Sequence, residues 1–259
     1  MADQGILFTT PPEFDQARLR AFEADLTPEG VVQQFFEWLV ESLRPLSEER
    51  NKDWRPEVST FLDPAAGSGC YGKVARRFFP DARIVGIEIR PEERAYLERA
   101  GYDEVIVGDA RRVLAELREA GRRFDVIATN SAFSLFPEYV RLCVPLLEPG
   151  SYNIVGGERE PAGTLALLYL SQWGQAAEHW PLIEEHCPFS QVRVGGRVKF
   201  RTGINPDTGK PWGADSREYC HWVWKPFPSP KVKAWRCYQL PPLEQHDRAW
   251  TVRPGTEEP

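Results

Sequence analysis

Between residues 58 and 156, short apolar runs alternate with longer amphipathic stretches, and this rhythm leaves very few folds open. VSTFLD (58–63), ARIVGIEI (82–89), DEVIVGD (103–109), FDVIATN (124–130) and SYNIVG (151–156) read as strands. GKVARRFF (72–79), PEERAYLERA (91–100), ARRVLAELREA (110–120) and residues 134–147 read as helices. Pro91 opens the second helix, Gly121 closes the third and Pro149-Gly150 ends the fourth. Near-continuous apolar strands alternating with helices predict an α/β fold with a doubly wound, mostly parallel sheet covered on both faces. Its crossovers should be right-handed. Gly67, Glu88, Asp109 and Asn130 each fall just after a strand, and each lies 21 residues beyond the last. Four polar or glycine positions are thus expected at the carboxyl ends of successive strands, the edge where open α/β sheets bind ligands.

Outside this region the pattern is looser. Residues 1–57 read as a helical segment. One helix is expected around Ala17–Leu26 and a second from Thr27-Pro28-Glu29 to Leu43, with Thr27 as N-cap and Pro28 at the first helical position. Residues 58–185 form the expected core, in which Thr164–Trp180 reads as a helix. Residues 186–238 hold two expected strands, Gln191–Arg201 and Glu218–Trp224, around the loop TGINPDTGKPWGAD. Residues 239–259 read as a tail.

Composition narrows the function classes. With 42% hydrophobic and 27% charged residues the chain is expected to be globular. No apolar run approaches the ~18–20 residues that span a bilayer, and the start MADQGILFTTPPEF lacks the form of a secretory signal. Five cysteines (70, 143, 187, 220, 237) form no CxxC pair, which points to a reducing, cytoplasmic setting and away from disulfides or zinc. The four histidines share no metal-ligand spacing, and His179 and His186, with Pro181 between them, are expected at the surface. The net charge of −6 argues against nucleic acid. Ser190–Tyr238, however, has ten Lys/Arg and three Asp/Glu, a net of +7, leaving −13 elsewhere. Such asymmetry marks either a basic contact surface or a solvated, Arg-rich segment.

The loop Asp63-Pro-Ala-Ala-Gly67-Ser-Gly69 lies between a strand and a helix, where glycines let a ligand approach the backbone and a helix N-terminus offers free N–H groups. Gly67–Gly72 also fits GxGxxG, with Glu88 about twenty residues on. Two cofactors therefore compete, a nicotinamide dinucleotide and S-adenosylmethionine. Asp63 would repel a pyrophosphate and suit the cationic methionine end of the second. Asp109 is a second acid, able to accept a hydrogen bond from an adenine amino group.

DPAAGSG, the acid of IEI, GDA and ATNSAFSLFPEYV, in this order, resemble the motifs of class I S-adenosylmethionine-dependent methyltransferases, and more narrowly those of adenine-N6 DNA methyltransferases of the phage type. Asn130-Ser131-Ala132-Phe133 is a degenerate form of that family's Asn/Asp/Ser-Pro-Pro-Tyr/Phe. Thr27-Pro28-Glu29 is similar to its extra N-terminal motif, and 198–224 resembles its C-terminal strands. The resemblance implies S-adenosylmethionine as cofactor. Asp63, Gly67 and Gly69 would hold the methionine part, with Thr27, Pro64 and Ala65 beside them. Glu88 would bind the ribose hydroxyls with two acceptors, Ile89 would pack on the adenine, and Asp109, next to Ala110, would take its amino group. It further implies DNA as partner.

The chemistry at NSAF follows from the acceptor. An amine whose lone pair is delocalised into a base needs its N–H bonds polarised. Asn130 offers a side-chain oxygen, Ser131 a main-chain carbonyl, and Phe133 a surface for a base taken out of the duplex. Ser131-Ala132 replace two prolines, so lower activity, another target or a catalytically inactive binding relic are open alternatives, as is methylation of RNA, protein or a small molecule. In the basic segment Lys199, Arg201, Lys210, Trp212 and Arg217 are the expected nucleic-acid contacts, whereas Trp222 and Trp224 alternate as core residues do. No Pro-Cys nucleophile, GxSxG or Walker pattern occurs.

Overall fold

The computed structural model describes residues 27–45, 48, 51–150, 163–200, 208–210, 213–214, 216–226, 231 and 233–243. The helix expected at 17–26 and the strand expected at 151–156 lie outside them. Helix α1 (Glu29–Leu43) precedes β1 (Thr60–Asp63), α2 (Cys70–Phe78), β2 (Arg83–Glu88), α3 (Arg94–Arg99), β3 (Glu104–Val107), α4 (Ala110–Glu119), β4 (Val126–Thr129) and α5 (Phe136–Cys143). Then come β5 (Thr164–Leu170), α6 (Trp180–Glu185), β6 (Ser190–Arg193), β7 (Tyr219–Trp224) and β8 (Arg236–Gln239).

The strands form one sheet in the order β3-β2-β1-β4-β5-β7-β6-β8. Strands β1 to β5 pair in parallel, and β7 runs antiparallel to both its neighbours. The doubly wound, mostly parallel α/β architecture is therefore as expected. The order of winding reverses between β1 and β4, which leaves a crevice beyond their carboxyl ends.

Alternate strand residues feed two cores because successive side chains leave opposite faces. Leu62, Val85, Ile87, Ile127, Leu165 and Leu167 meet α4, α5, Trp222 and Trp224 on one face. Phe61, Ile84, Val126, Ala128, Ala166 and Val223 meet Phe35, Phe36 and Leu39 of α1, with α2, on the other. Each such large apolar side chain contributes about 1.5–3 kcal/mol when fully buried.

Several expectations are corrected. Thr164–Leu170 is a strand, not the start of a helix; TLALLYL is an unbroken apolar run, buried on both faces over most of its length, and pairing with β4 and β7 overrides the helix propensity of its leucines. The strand expected over Gln191–Arg201 is confined to Ser190–Arg193. Strand β8 was not expected; it exists because Arg236–Gln239 pairs with β6. The helix expected over 134–147 is α only at Phe136–Cys143, between two 3₁₀ turns. Pro28, not Thr27, stands at the N-cap of α1, and no side chain caps that end. His221 is fully buried in β7. Trp222 and Trp224 are buried, as expected.

Candidate functional site

A cavity of about 380 Å³ opens at the carboxyl ends of the first four strands, within the usual size of small-molecule sites. Each strand supplies one wall. The turn after β1 brings Pro64, Ala65, Gly67 and Ser68; the end of β2 brings Glu88, Ile89 and Arg90; the end of β3 brings Asp109, Ala110 and Arg111. The segment after β4 brings Asn130, Ser131 and Phe133, while Thr27, Tyr71, Tyr139 and Phe200 close the sides.

Gly67 sits at φ 52°, a left-handed conformation that costs glycine little. Its N–H donates to Glu88 Oε2 at 2.7 Å, so the carboxylate of β2 lies on the glycine loop itself. Glu88 Oε1 accepts from the main-chain N–H and Nε of Arg90, at 3.0 and 2.9 Å. A carboxylate has about four acceptor positions, so these bonds leave one, on Oε2, for a ligand. The expected pair of ribose acceptors is thereby reduced to one.

Asp109 is the N-cap of α4, with Oδ1 accepting from Arg111 N–H at 2.9 Å. The Arg111 guanidinium also spans both its oxygens, with Nη2 2.5 Å from Oδ2, and holds the carboxyl below its ordinary range. The acceptor positions expected for an adenine amino group are filled by this arginine. Glu-x-Arg and Asp-x-Arg at two successive strand ends were the sequence signal for these arginines, and it went unread.

Asp63 does not line the cavity. It is fully buried behind the glycine loop, where Tyr102 Oη and Thr129 Oγ1 each donate to it at 2.7 Å and the Ala65 N–H at 3.3 Å. Burial pushes its carboxyl up to about 6, against the opposing pull of those donors. Its role is to brace the loop, and the expectation that it meets a methionine amine is corrected. Gly69 is also outside the lining; it is the N-cap of α2 at φ 77°. The third glycine of the GxGxxG match, Gly72, faces Tyr102, whose ring would lie 2.2 Å from an added Cβ. Gly72 therefore makes room for a tyrosine that in turn donates to Asp63.

After β4, Asn130 Nδ2 donates to Thr27 Oγ1 at 3.0 Å. Asn130 Oδ1 and Ser131 Oγ are buried and have no hydrogen-bond partner among the described residues. Buried polar atoms are nearly always paired, so such orphans at a cavity wall point to a ligand. Phe133 packs edge-on against Tyr169 at 5.0 Å, and the Arg217 guanidinium lies 5.9 Å from its ring. The Tyr71 hydroxyl pairs with Nε2 of His221 at 2.9 Å; burial lowers that histidine to about 3 and keeps it neutral.

Of the expected nucleic-acid contacts, Arg217 and Lys210 are exposed and Lys199 is half-buried, and none of them lines the cavity. Arg201 and Trp212 lie outside the described residues. Phe200, adjacent to Lys199, does line it and meets Tyr219 edge-on at 4.8 Å.

No family model matches the chain, and no curated protein matches it. Among solved structures it is similar to a SAM-dependent methyltransferase from Agrobacterium tumefaciens, 16% identical over 78% of this chain and 64% of that one, with a TM-score of 0.48. The chain thus spans less than two thirds of that protein. A predicted O-methyltransferase from the same organism is 17% identical over 88% and 100%, TM-score 0.47. A precorrin-6y C5,15-methyltransferase from Geobacter metallireducens is 16% identical over 70% and 85%, TM-score 0.40. Likenesses at this level say nothing of activity, and the functional reading rests on the geometry of the chain's own residues.

Proposed function

We propose that this cavity binds S-adenosylmethionine and that the chain methylates an exocyclic amino group of a nucleobase, adenine N6 in DNA. One observation carries the cofactor assignment: the Glu88 carboxylate occupies the N–H of Gly67. In a dinucleotide site the glycine-loop amides face a pyrophosphate. Here a carboxylate stands on the loop, and a second, Asp109, stands one strand further on. With that amide taken, a pyrophosphate lacks a donor it would need, while the remaining acceptor of Glu88 suits a ribose hydroxyl.

The residues present fit such a group. The free acceptor on Glu88 Oε2 would take a ribose hydroxyl, and Ile89, 46% exposed, offers an apolar face for the adenine. The backbone of Ala65, Gly67 and Ser68 would border the methionine part. When bound, S-adenosylmethionine supplies an electrophilic methyl group. Asn130 Oδ1 would accept one N–H of the target amine, and the Ser131 carbonyl a second, which raises the electron density on the nitrogen. Phe133 and Phe200 offer aromatic surfaces for the base, and Arg217 places positive charge beside Phe133.

Incubation with methyl-labelled S-adenosylmethionine and mixed DNA, followed by nucleoside analysis, tests the proposal. Label in N6-methyladenine is expected. Label confined to RNA, protein or a small molecule refutes the DNA assignment, and no transfer to any acceptor refutes the enzyme.

A further inference from the structure

Thr27 and Asn130 are separated by 103 residues, yet their side chains meet at the cavity wall. Thr27 lies just before α1, is buried, and caps nothing. Among the described residues, its hydroxyl meets one other side chain, accepting from Asn130 Nδ2. The consequence lies at the other end of the amide. A carboxamide is a donor at one end and an acceptor at the other, and the two ends exchange places when the group turns by half a revolution. With Nδ2 committed to Thr27, Oδ1 is held at the opposite end, where it is buried and lacks a partner among the described residues. An unpaired buried acceptor is costly. A donor entering the cavity would relieve that cost, and an amine is such a donor.

We propose that Thr27 is a positioning residue. By accepting from Asn130 Nδ2, it commits the oxygen of that amide, not its nitrogen, to the amine to be methylated. The proposal rests on the methyltransferase reading above and deepens it. Without the Thr27 hydroxyl the amide turns freely, and for part of the time it presents N–H groups that oppose those of the substrate. The loss falls on the transfer step itself, and is read with the cofactor saturating because Thr27 also lines the cavity.

The test compares wild type, Thr27→Val, which keeps shape and removes the hydroxyl, and Thr27→Ser, which restores it. Three quantities are read on the full chain: single-turnover methylation of DNA, S-adenosylmethionine affinity by calorimetry, and the Asn130 side-chain amide signals in ¹⁵N NMR spectra. The signals are assigned by their loss in Asn130→Asp. For Thr27→Val the expected result is a fall of about tenfold or more in the methylation rate at a concentration of S-adenosylmethionine that calorimetry shows to be saturating for that variant. Its Asn130 amide signals shift and exchange faster with solvent, and Thr27→Ser recovers both properties. Wild-type turnover in Thr27→Val overturns the proposal alone, as does unchanged NMR behaviour or failure of rescue by serine. A wild-type chain that methylates nothing overturns the methyltransferase reading and the catalytic part of this proposal together. The amide signals of that chain still report whether Thr27 orients Asn130.

Discussion

The two halves of the sheet are built differently. On one side, β3, β2, β1 and β4 are short parallel strands, each followed by a helix or turn that returns the chain to the same edge. On the other, β5, β7, β6 and β8 pair out of sequence order, and β7 buries all six of its residues, YCHWVW. The first half carries the cavity; the second carries the aromatic mass. A repeated local unit sets polar side chains at one edge at regular intervals, whereas long-range pairing builds a wall that holds that edge still. Site and scaffold are thus divided between halves, and substitutions should separate them.

The sharpest break in this division is expected from Trp222→Ala. Trp222 is fully buried, packs at 5.2 Å from Trp173 and 5.5 Å from Trp235, and donates from its indole to Leu170 O at 3.0 Å. Its loss should lower stability by about 3–5 kcal/mol in urea unfolding, although Trp222 itself does not line the cavity. Asn130→Ala should do the reverse. Methyl transfer should fall by about a hundredfold or more, while calorimetric cofactor binding and the urea midpoint barely move. Equal damage to both properties in either variant would erase the distinction between the halves.

Asp63 belongs to the scaffold although it sits in the motif half, and pH exposes this. Its carboxyl is raised to about 6 when folded, against an ordinary value near 4 in the unfolded chain. Below about pH 4 it is protonated in both states. Between there and 6 the folded chain keeps a proton that the unfolded chain gives up. This group's contribution is therefore fully present at low pH and is lost as pH rises through 6. Its size is up to about 3 kcal/mol, since one unit is worth about 1.4 kcal/mol. Asp63→Asn should flatten that dependence relative to wild type in paired unfolding curves at pH 4 and 7; parallel curves would place the titration elsewhere. The smallest effect is expected from Glu88→Gln. The amide oxygen can still accept from Gly67, but the charge is gone. S-adenosylmethionine should bind about tenfold more weakly by calorimetry, with stability little changed.

Legibility followed the same division. Gly67, Glu88, Asp109 and Asn130 were readable because each is set by the length of one local strand-helix unit, and all four line the cavity. Asp63 was misread because a strand-end carboxylate faces either the ligand or the interior, and only the buried positions of Tyr102 and Thr129 decide which. Asp109 was half read: its position is local, but the Arg111 clasp depends on a rotamer. Strand β5 was misread as helix because TLALLYL has no period that separates the two, and its partners β4 and β7 lie far from it along the chain, one before it and one after.

Local sequence determined the alternation of strand and helix, the glycine turn and the edge at which four strand ends converge, since each follows from residues within about one turn or one strand length. Tertiary structure alone decided that Thr27 meets Asn130, that Tyr71 meets His221, and that Tyr102 fills the space Gly72 leaves. Those contacts join segments 30 to 150 residues apart. No spacing rule reaches so far, because the energy that selects such pairs arises only when the sheet has closed and water has left the space between them.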